Sequence, residues 1–192
     1  MKKHLVLIAL LLAACTEEAA QATDPVALTA ETIGHYCQMN LSEHPGPKAQ
    51  VHLDGLPGAP LFFSQVRDAI AYSRLPEQDH RILAIWVNDM GAAGATWEAP
   101  GDGNWIAAEA ASYVVGSSRS GGMGAAELVP FADPAAARAF AQEFGGEVLQ
   151  LDAIPDSAVI APEGPGPLSV AEDEDFTRRL KALSGHHTHT GG

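Results

Sequence analysis

Residues 127–151 read ELVPFADPAAARAFAQEFGGEVLQL, and their punctuation decides the fold. Residues 127–131 form a short extended run. Asp133-Pro134 then pairs a capping side chain with a proline at the first helical position, the signature of a helix start. Ala137, Phe140, Ala141 and Phe144 recur at the spacing of an apolar helical stripe. Gly145-Gly146 ends that helix, and residues 147–151 resume an extended chain. With a further extended run at 110–115, the order over 104–151 is strand, strand, helix, strand.

The same order is written once before. Residues 48–53 are extended, a Pro/Gly turn occupies 54–58, and 60–63 is a second short run. A helix follows from Ser64, a plausible N-cap, with Val66, Ala69, Ile70 and Ser73 at helical spacing until Pro76 stops it. Residues 81–87 make the closing strand. Phe63 and Phe131 stand in corresponding places before the two helices. Each half, 47–87 and 104–151, is too small to bury both faces of its own sheet, so the two are expected to pack together as one α+β unit within a domain spanning 30–151.

Outward from this domain the sequence changes character. Residues 1–14 combine Lys2 and Lys3 with an apolar run, the parts of a secretory signal, and Leu12-Ala13-Ala14-Cys15 resembles the bacterial lipobox, in which the cysteine becomes the lipid-bearing first residue. Residues 15–29 are small, polar and without periodicity, as a flexible tether reads. Beyond residue 151 the signal fades: 152–192 reads as a linker at 161–167, a short helix within 170–183, and a tail holding His186, His187 and His189, either a weak metal-collecting tract or a plain polar end.

Charge excludes one class of partner. The chain has 24 Asp plus Glu against 11 Lys plus Arg, a formal charge of -13, which leaves no means of gripping a phosphate backbone. No nucleic-acid partner is expected. The apolar run at the start falls short of the roughly 18 residues that a spanning helix needs.

The chain has two cysteines, and a lipid on Cys15 would leave Cys37 unpaired in an oxidising compartment. Cys37 and Met39 are two apart. On a helix that spacing points side chains about 200° apart, so both sulfurs meet one ion only on an extended or turned segment. A thiolate with a thioether suits a soft, low-coordinate ion such as Cu(I), and not the oxygen-seeking Mg²⁺, Ca²⁺ or Mn²⁺. Met123 stands in Gly121-Gly122-Met123-Gly124, a loop setting that favours exposure over packing. Met90, after an apolar strand, reads as core filler.

Together Cys15, Cys37-Gln38-Met39 and the Met123-to-Phe131 stretch resemble the NosL family of lipoprotein copper chaperones that accompany nitrous oxide reductase. The likeness covers residues 1–151, including the duplicated order; that family often carries glycine where this chain has Gln38. The resemblance implies a periplasmic carrier on a lipid anchor at Cys15, in the outer membrane rather than the inner, which passes Cu(I) through a membrane transporter assembly for the copper-sulfide cluster of nitrous oxide reductase. It implies Cys37 as thiolate ligand, Met39 and Met123 as thioether ligands, and His35 as an optional nitrogen ligand. No covalent chemistry is needed, so no enzyme is implied. Two other classes stay open on the residues alone: a structural lipoprotein without metal, and an enzyme with Cys37 as nucleophile and His35 or His52 as base, for which no orienting group is legible.

Overall fold

The computed structural model describes residues 20–160, together with 177–179 and 181. The expected signal segment, Cys15 and the histidines of the tail lie outside the described residues. Residues 177–179 and 181 are helical, inside the short helix expected at 170–183.

The first half runs β1 (Ala49–Leu53), β2 (Leu61–Phe63), α1 (Val66–Arg74) and β3 (Ile82–Asn88). After β4 (Trp105–Ala107), the second half runs β5 (Ser112–Val115), β6 (Val129–Phe131), α2 (Pro134–Phe144) and β7 (Glu147–Gln150). The strands form two antiparallel sheets, ordered β2-β1-β3-β4 and β6-β5-β7. In each half the first strand is central, with the second on one side and the strand after the helix on the other. Phe63 pairs with Ala49 and Phe131 with Ser112, so the two phenylalanines occupy equivalent register positions. The duplicated α+β reading holds. The start of the second repeat shifts, because β4 joins the first sheet through Trp86↔Ala107 and Asn88↔Trp105.

The halves share a core. Ala49, Val51 and Leu53 line one face of β1 and pack with Phe63, Val66, Ala69 and Ile70, while Tyr113 and Leu128 enter from the second half. Alternation along β5 sends Val114 the other way, into a second cluster with Val129, Phe131 and Ala137, against which Met90 packs. Met90 is core filler, as its place after the strand suggests. Asp133 caps α2 by accepting from Ala135 N at 2.8 Å, with Pro134 at the helix start.

The start of α1 departs from the expectation. Its N-cap is Gln65, not Ser64, and Gln65 makes no side-chain cap bond. The capping acceptor comes from the other half: Glu127 Oε1 accepts from Arg67 N at 3.0 Å and from Leu128 N at 2.9 Å. A carboxyl at a helix N-terminus satisfies an orphan donor, here at a sequence distance no local motif reveals.

The domain also outgrows its expected limits. Residues 21–28, which composition assigns to the tether, form a strap across the opposite face of β1. Gln50 Oε1 accepts from Val26 N at 2.8 Å and its Nε2 donates to Val26 O at 3.0 Å. Trp86 Nε1 donates to Thr23 O, and Gln21 bonds Leu53 O and Gly55 N. The strap buries the polar pair Gln50 and His52, which a hydrophobic pattern does not report. At the other end Ile154 and Val159 enter the shared core, and Arg74 donates to Ile154 O at 2.7 Å and Leu151 O at 2.9 Å, holding this segment against α1.

Candidate metal centre

Cys37-Gln38-Met39 occupies a turn, one of the two conformations, extended or turned, that let both sulfurs meet one ion. Gln38 N donates to Gly34 O at 2.9 Å and Gly34 N to Met39 O at 3.0 Å, closing the turn around the cysteine. Gln38 has φ +55, the left-handed region in which glycine is at ease and other side chains are uncommon. Its side-chain amide donates to His35 O at 2.6 Å and Gly34 O at 3.4 Å, bonds that hold the strained conformation in the absence of a glycine. Gly34 is required for a different reason: a Cβ there would collide with Cys37 Sγ and press on Leu41. Cys37 is half-buried, and its Sγ lies 3.8 Å from Met39 O.

Met123 lies in a second loop, closed by Gly121 N donating to Ala125 O and Gly124 N to Gly121 O, each at 2.8 Å. The backbone of Met123 is fixed from the first half, since its N–H donates to the buried Gln65 Oε1 at 2.6 Å. This explains why the Gln65 side chain is unavailable to α1. Met39 and Met123 are 40% and 48% exposed, so neither serves as packing material. Ile33 and Tyr36 beside the cysteine turn are exposed as well.

The two loops are joined through His44. This residue follows a 3-10 turn at Leu41–Glu43, and its Nδ1 lies 3.0 Å from Gly122 O. Gly122 packs so closely that a Cβ on it would meet His44 and the Pro45 carbonyl. The structure thus brings Cys37 and Met39 into one turn and ties the Met123 loop to the segment that continues from it.

Two buried ionisable groups support this junction. Lys48 Nζ donates to the carbonyls of His44 at 2.7 Å, Pro45 at 3.3 Å and Gly46 at 2.5 Å. Burial pulls its pKa from 10.5 to about 8, against the opposing influence of nearby Glu127 and Cys37. Burial pushes the Glu127 carboxyl up to about 8, while the bonds from Arg67 and Leu128 and the charge of Lys48 act the other way. Gly121 lies against Gln65 and Glu127, so both side chains form the floor of the Met123 loop. Neither Lys48, Gln65 nor Glu127 stands out in sequence, because each acts across the junction of the halves.

His35, the optional nitrogen ligand that the resemblance implies, sits among aromatic rings. Its ring packs with Tyr36, Phe63 and Tyr72 at centroid distances of 5.3, 5.5 and 5.8 Å, a use for aromatic contact. His52 is buried beneath the strap with Nε2 3.0 Å from Gln50 Oε1.

Fold and site together define a structural class: a duplicated α+β domain that carries one thiol and two exposed methionines on adjoining loops. The chain belongs to the NosL family, whose model matches residues 25–159. It is 62% identical over 173 residues to the copper-binding lipoprotein NosL of Achromobacter cycloclastes, covering 90% of this chain and 89% of that one. Identity to the copper-binding lipoprotein NosL of Stutzerimonas stutzeri is 37% over 158 residues, 81% of this chain and 79% of the relative. Among solved structures, the copper chaperone NosL from Shewanella denitrificans superposes with a TM-score of 0.63 at 30% identity, over 69% of this chain and 97% of that one.

Proposed function

We propose that this protein is a membrane-anchored periplasmic carrier of Cu(I), with Cys37 as thiolate ligand and Met39 and Met123 as thioether ligands. The observation that carries the reading is the junction itself: a half-buried thiol and two exposed methionines sit on loops that the fold ties together. One thiolate balances the charge of Cu(I), and soft sulfur donors discriminate against oxygen-seeking ions. The names of the Achromobacter and Stutzerimonas relatives support copper as the cargo and a lipoprotein as the carrier.

The cargo is passed on by ligand exchange, each Cu–S bond to this chain being replaced by a bond to the receiver's donor, with no covalent bond within the protein made or broken. Exposure of Met39 and Met123 leaves two donors within reach of an incoming ligand, while the turn around Cys37 retains the charged one. The destination is the copper-sulfide cluster of nitrous oxide reductase, reached through its membrane transporter assembly, with Cys15 bearing the lipid at the outer membrane. The test is competition for Cu(I) against a chromophoric chelator. The parent chain should hold one ion tightly and Cys37→Ser should lose that affinity, because a hydroxyl is a poor soft ligand. Equal affinity in the two proteins would remove Cys37 from the site and with it the carrier reading.

A further inference from the structure

The peptide group that joins Gly122 to Met123 is gripped at both of its polar atoms. Its carbonyl lies 3.0 Å from His44 Nδ1, and because a carbonyl oxygen only accepts, that nitrogen carries the proton. Its N–H donates to Gln65 Oε1 at 2.6 Å. Both side chains come from the first half of the chain. A peptide group is planar and its plane includes the Cα of Met123, so the double grip places the point from which the thioether departs.

The loop supplies little of that order itself. Met123 stands between Gly122 and Gly124, with Gly121 before them, and a backbone of this composition is as free as a chain allows. Gly121 N reaches Ala125 O and Gly124 N reaches Gly121 O, bonds that close the turn but leave the Met123 N–H to an outside partner. Gln65 is a costly choice for that partner. It is fully buried, and its Nε2 has no hydrogen-bond partner among the described residues. A half-satisfied buried amide calls for a reason, since an apolar side chain of similar size would fill the space without that loss. Gln65 also gives up the start of α1, whose capping acceptor comes from Glu127. A Cβ on Gly121 would run into Gln65 and Glu127, so the missing side chain lets the loop settle against both.

We propose that Gln65 is a positioning residue of the copper site: its Oε1, by holding the Met123 N–H, sets the Met123 thioether within reach of the ion bound by Cys37 and Met39. The inference rests on the carrier reading. Gln65 gives the ion no donor of its own. It makes the ordering of a glycine-flanked loop part of folding rather than a cost of binding, as the outer partners of metal ligands do. Without it the loop would have to be ordered each time an ion arrives.

NMR of the full chain, labelled at its methionine methyl groups and given one equivalent of Cu(I), tests it. In the parent the Met39 and Met123 methyl signals should move, and that of Met90, packed in the second core cluster, should stay. In Gln65→Leu the Met39 and Met90 signals should behave as in the parent, the Met123 signal should remain near its metal-free position, and Cu(I) affinity should fall roughly tenfold. Without metal, the Met123 amide should exchange with solvent slowly in the parent and rapidly in Gln65→Leu. Adding Met123→Ala to Gln65→Leu should cost no further affinity, because Gln65 acts through Met123 alone. A full Met123 shift in Gln65→Leu, or an affinity loss that Gln65→Leu also produces in the Met123→Ala background, overturns the proposal while leaving the carrier reading intact. A parent that binds Cu(I) without moving the Met123 methyl overturns it and removes Met123 from the ligand set. A parent that binds no Cu(I) overturns the carrier reading as well. Should Gln65→Leu not fold, Gln65→Asn, whose shorter side chain withdraws the oxygen, is read on the same signals, and failure of both to fold makes Gln65 a residue of the fold alone and overturns the proposal.

Discussion

Replacing Glu127 by glutamine should flatten the pH dependence of folding stability. Glu127 is 1% exposed, and its pKa rises from an ordinary 4.5 to about 8 in the fold. A raised acid binds its proton more tightly when folded, so its contribution is fully present below the unfolded value of 4.5 and is lost as pH climbs to about 8. That interval of roughly 3.5 units, at about 1.36 kcal/mol per unit, sets a ceiling of about 5 kcal/mol on the decline. Lys48 titrates with the opposite sign: burial lowers its pKa to about 8, so it adds stability as pH rises from there toward 10.5. The pair therefore predicts a stability minimum near pH 8. Glutamine retains an oxygen to accept from Arg67 N and Leu128 N but cannot ionise. Urea midpoints measured from about pH 5 to about pH 8 should fall in the parent and stay nearly level in Glu127→Gln, with m-values unchanged. Parallel declines in the two proteins would refute the argument, placing the titration elsewhere.

Met123→Ala should weaken Cu(I) binding less than Cys37→Ser does and leave the melting temperature unaltered, since a thioether carries no charge and this side chain is largely exposed; chelator competition and calorimetry check the two halves. Gly34→Ala should displace the Cys37 thiol, because the added Cβ overlaps Sγ, and lower Cu(I) affinity roughly tenfold. Unchanged affinity there would show that the turn relaxes freely. Cys15→Ser should move the protein from the detergent phase to the aqueous one on partitioning, as a chain of net charge -13 is repelled by an anionic membrane.

The sequence is informative where structure is local. Asp133-Pro134 and Gly145-Gly146 bracket α2 because capping chemistry is written within a few residues, and the matched Phe63 and Phe131 betray the duplication for the same reason. Cys37 and Met39 are legible as lying off any helix, because two sulfurs at that spacing meet one ion only on an extended or turned segment. What escaped acts at a distance. Glu127 caps a helix 60 residues away, and β4 sits inside the stretch assigned to the second repeat yet completes the first sheet. His44 declares nothing in sequence; its tautomer follows from a carbonyl 78 residues distant. Polar segments such as 21–28 look like tether until the buried amide of Gln50 is found to bond them.

The strap has a mechanical corollary. A tether running freely from residue 15 to residue 29 would let the domain roam, but the chain is already pinned at Gln21 by its bonds to Leu53 and Gly55. If Cys15 bears the lipid, six Cα-to-Cα steps separate it from Gln21, and at about 3.3–3.6 Å each they reach no farther than roughly 22 Å. On the proposed carrier reading the cargo would then stay within a thin layer at the bilayer surface. Such a short leash would turn the search for a partner into a nearly two-dimensional one and raise the encounter rate with receptors in the same membrane. It would equally forbid delivery across the full depth of the compartment, so any receiver in the opposite membrane would have to extend to meet it.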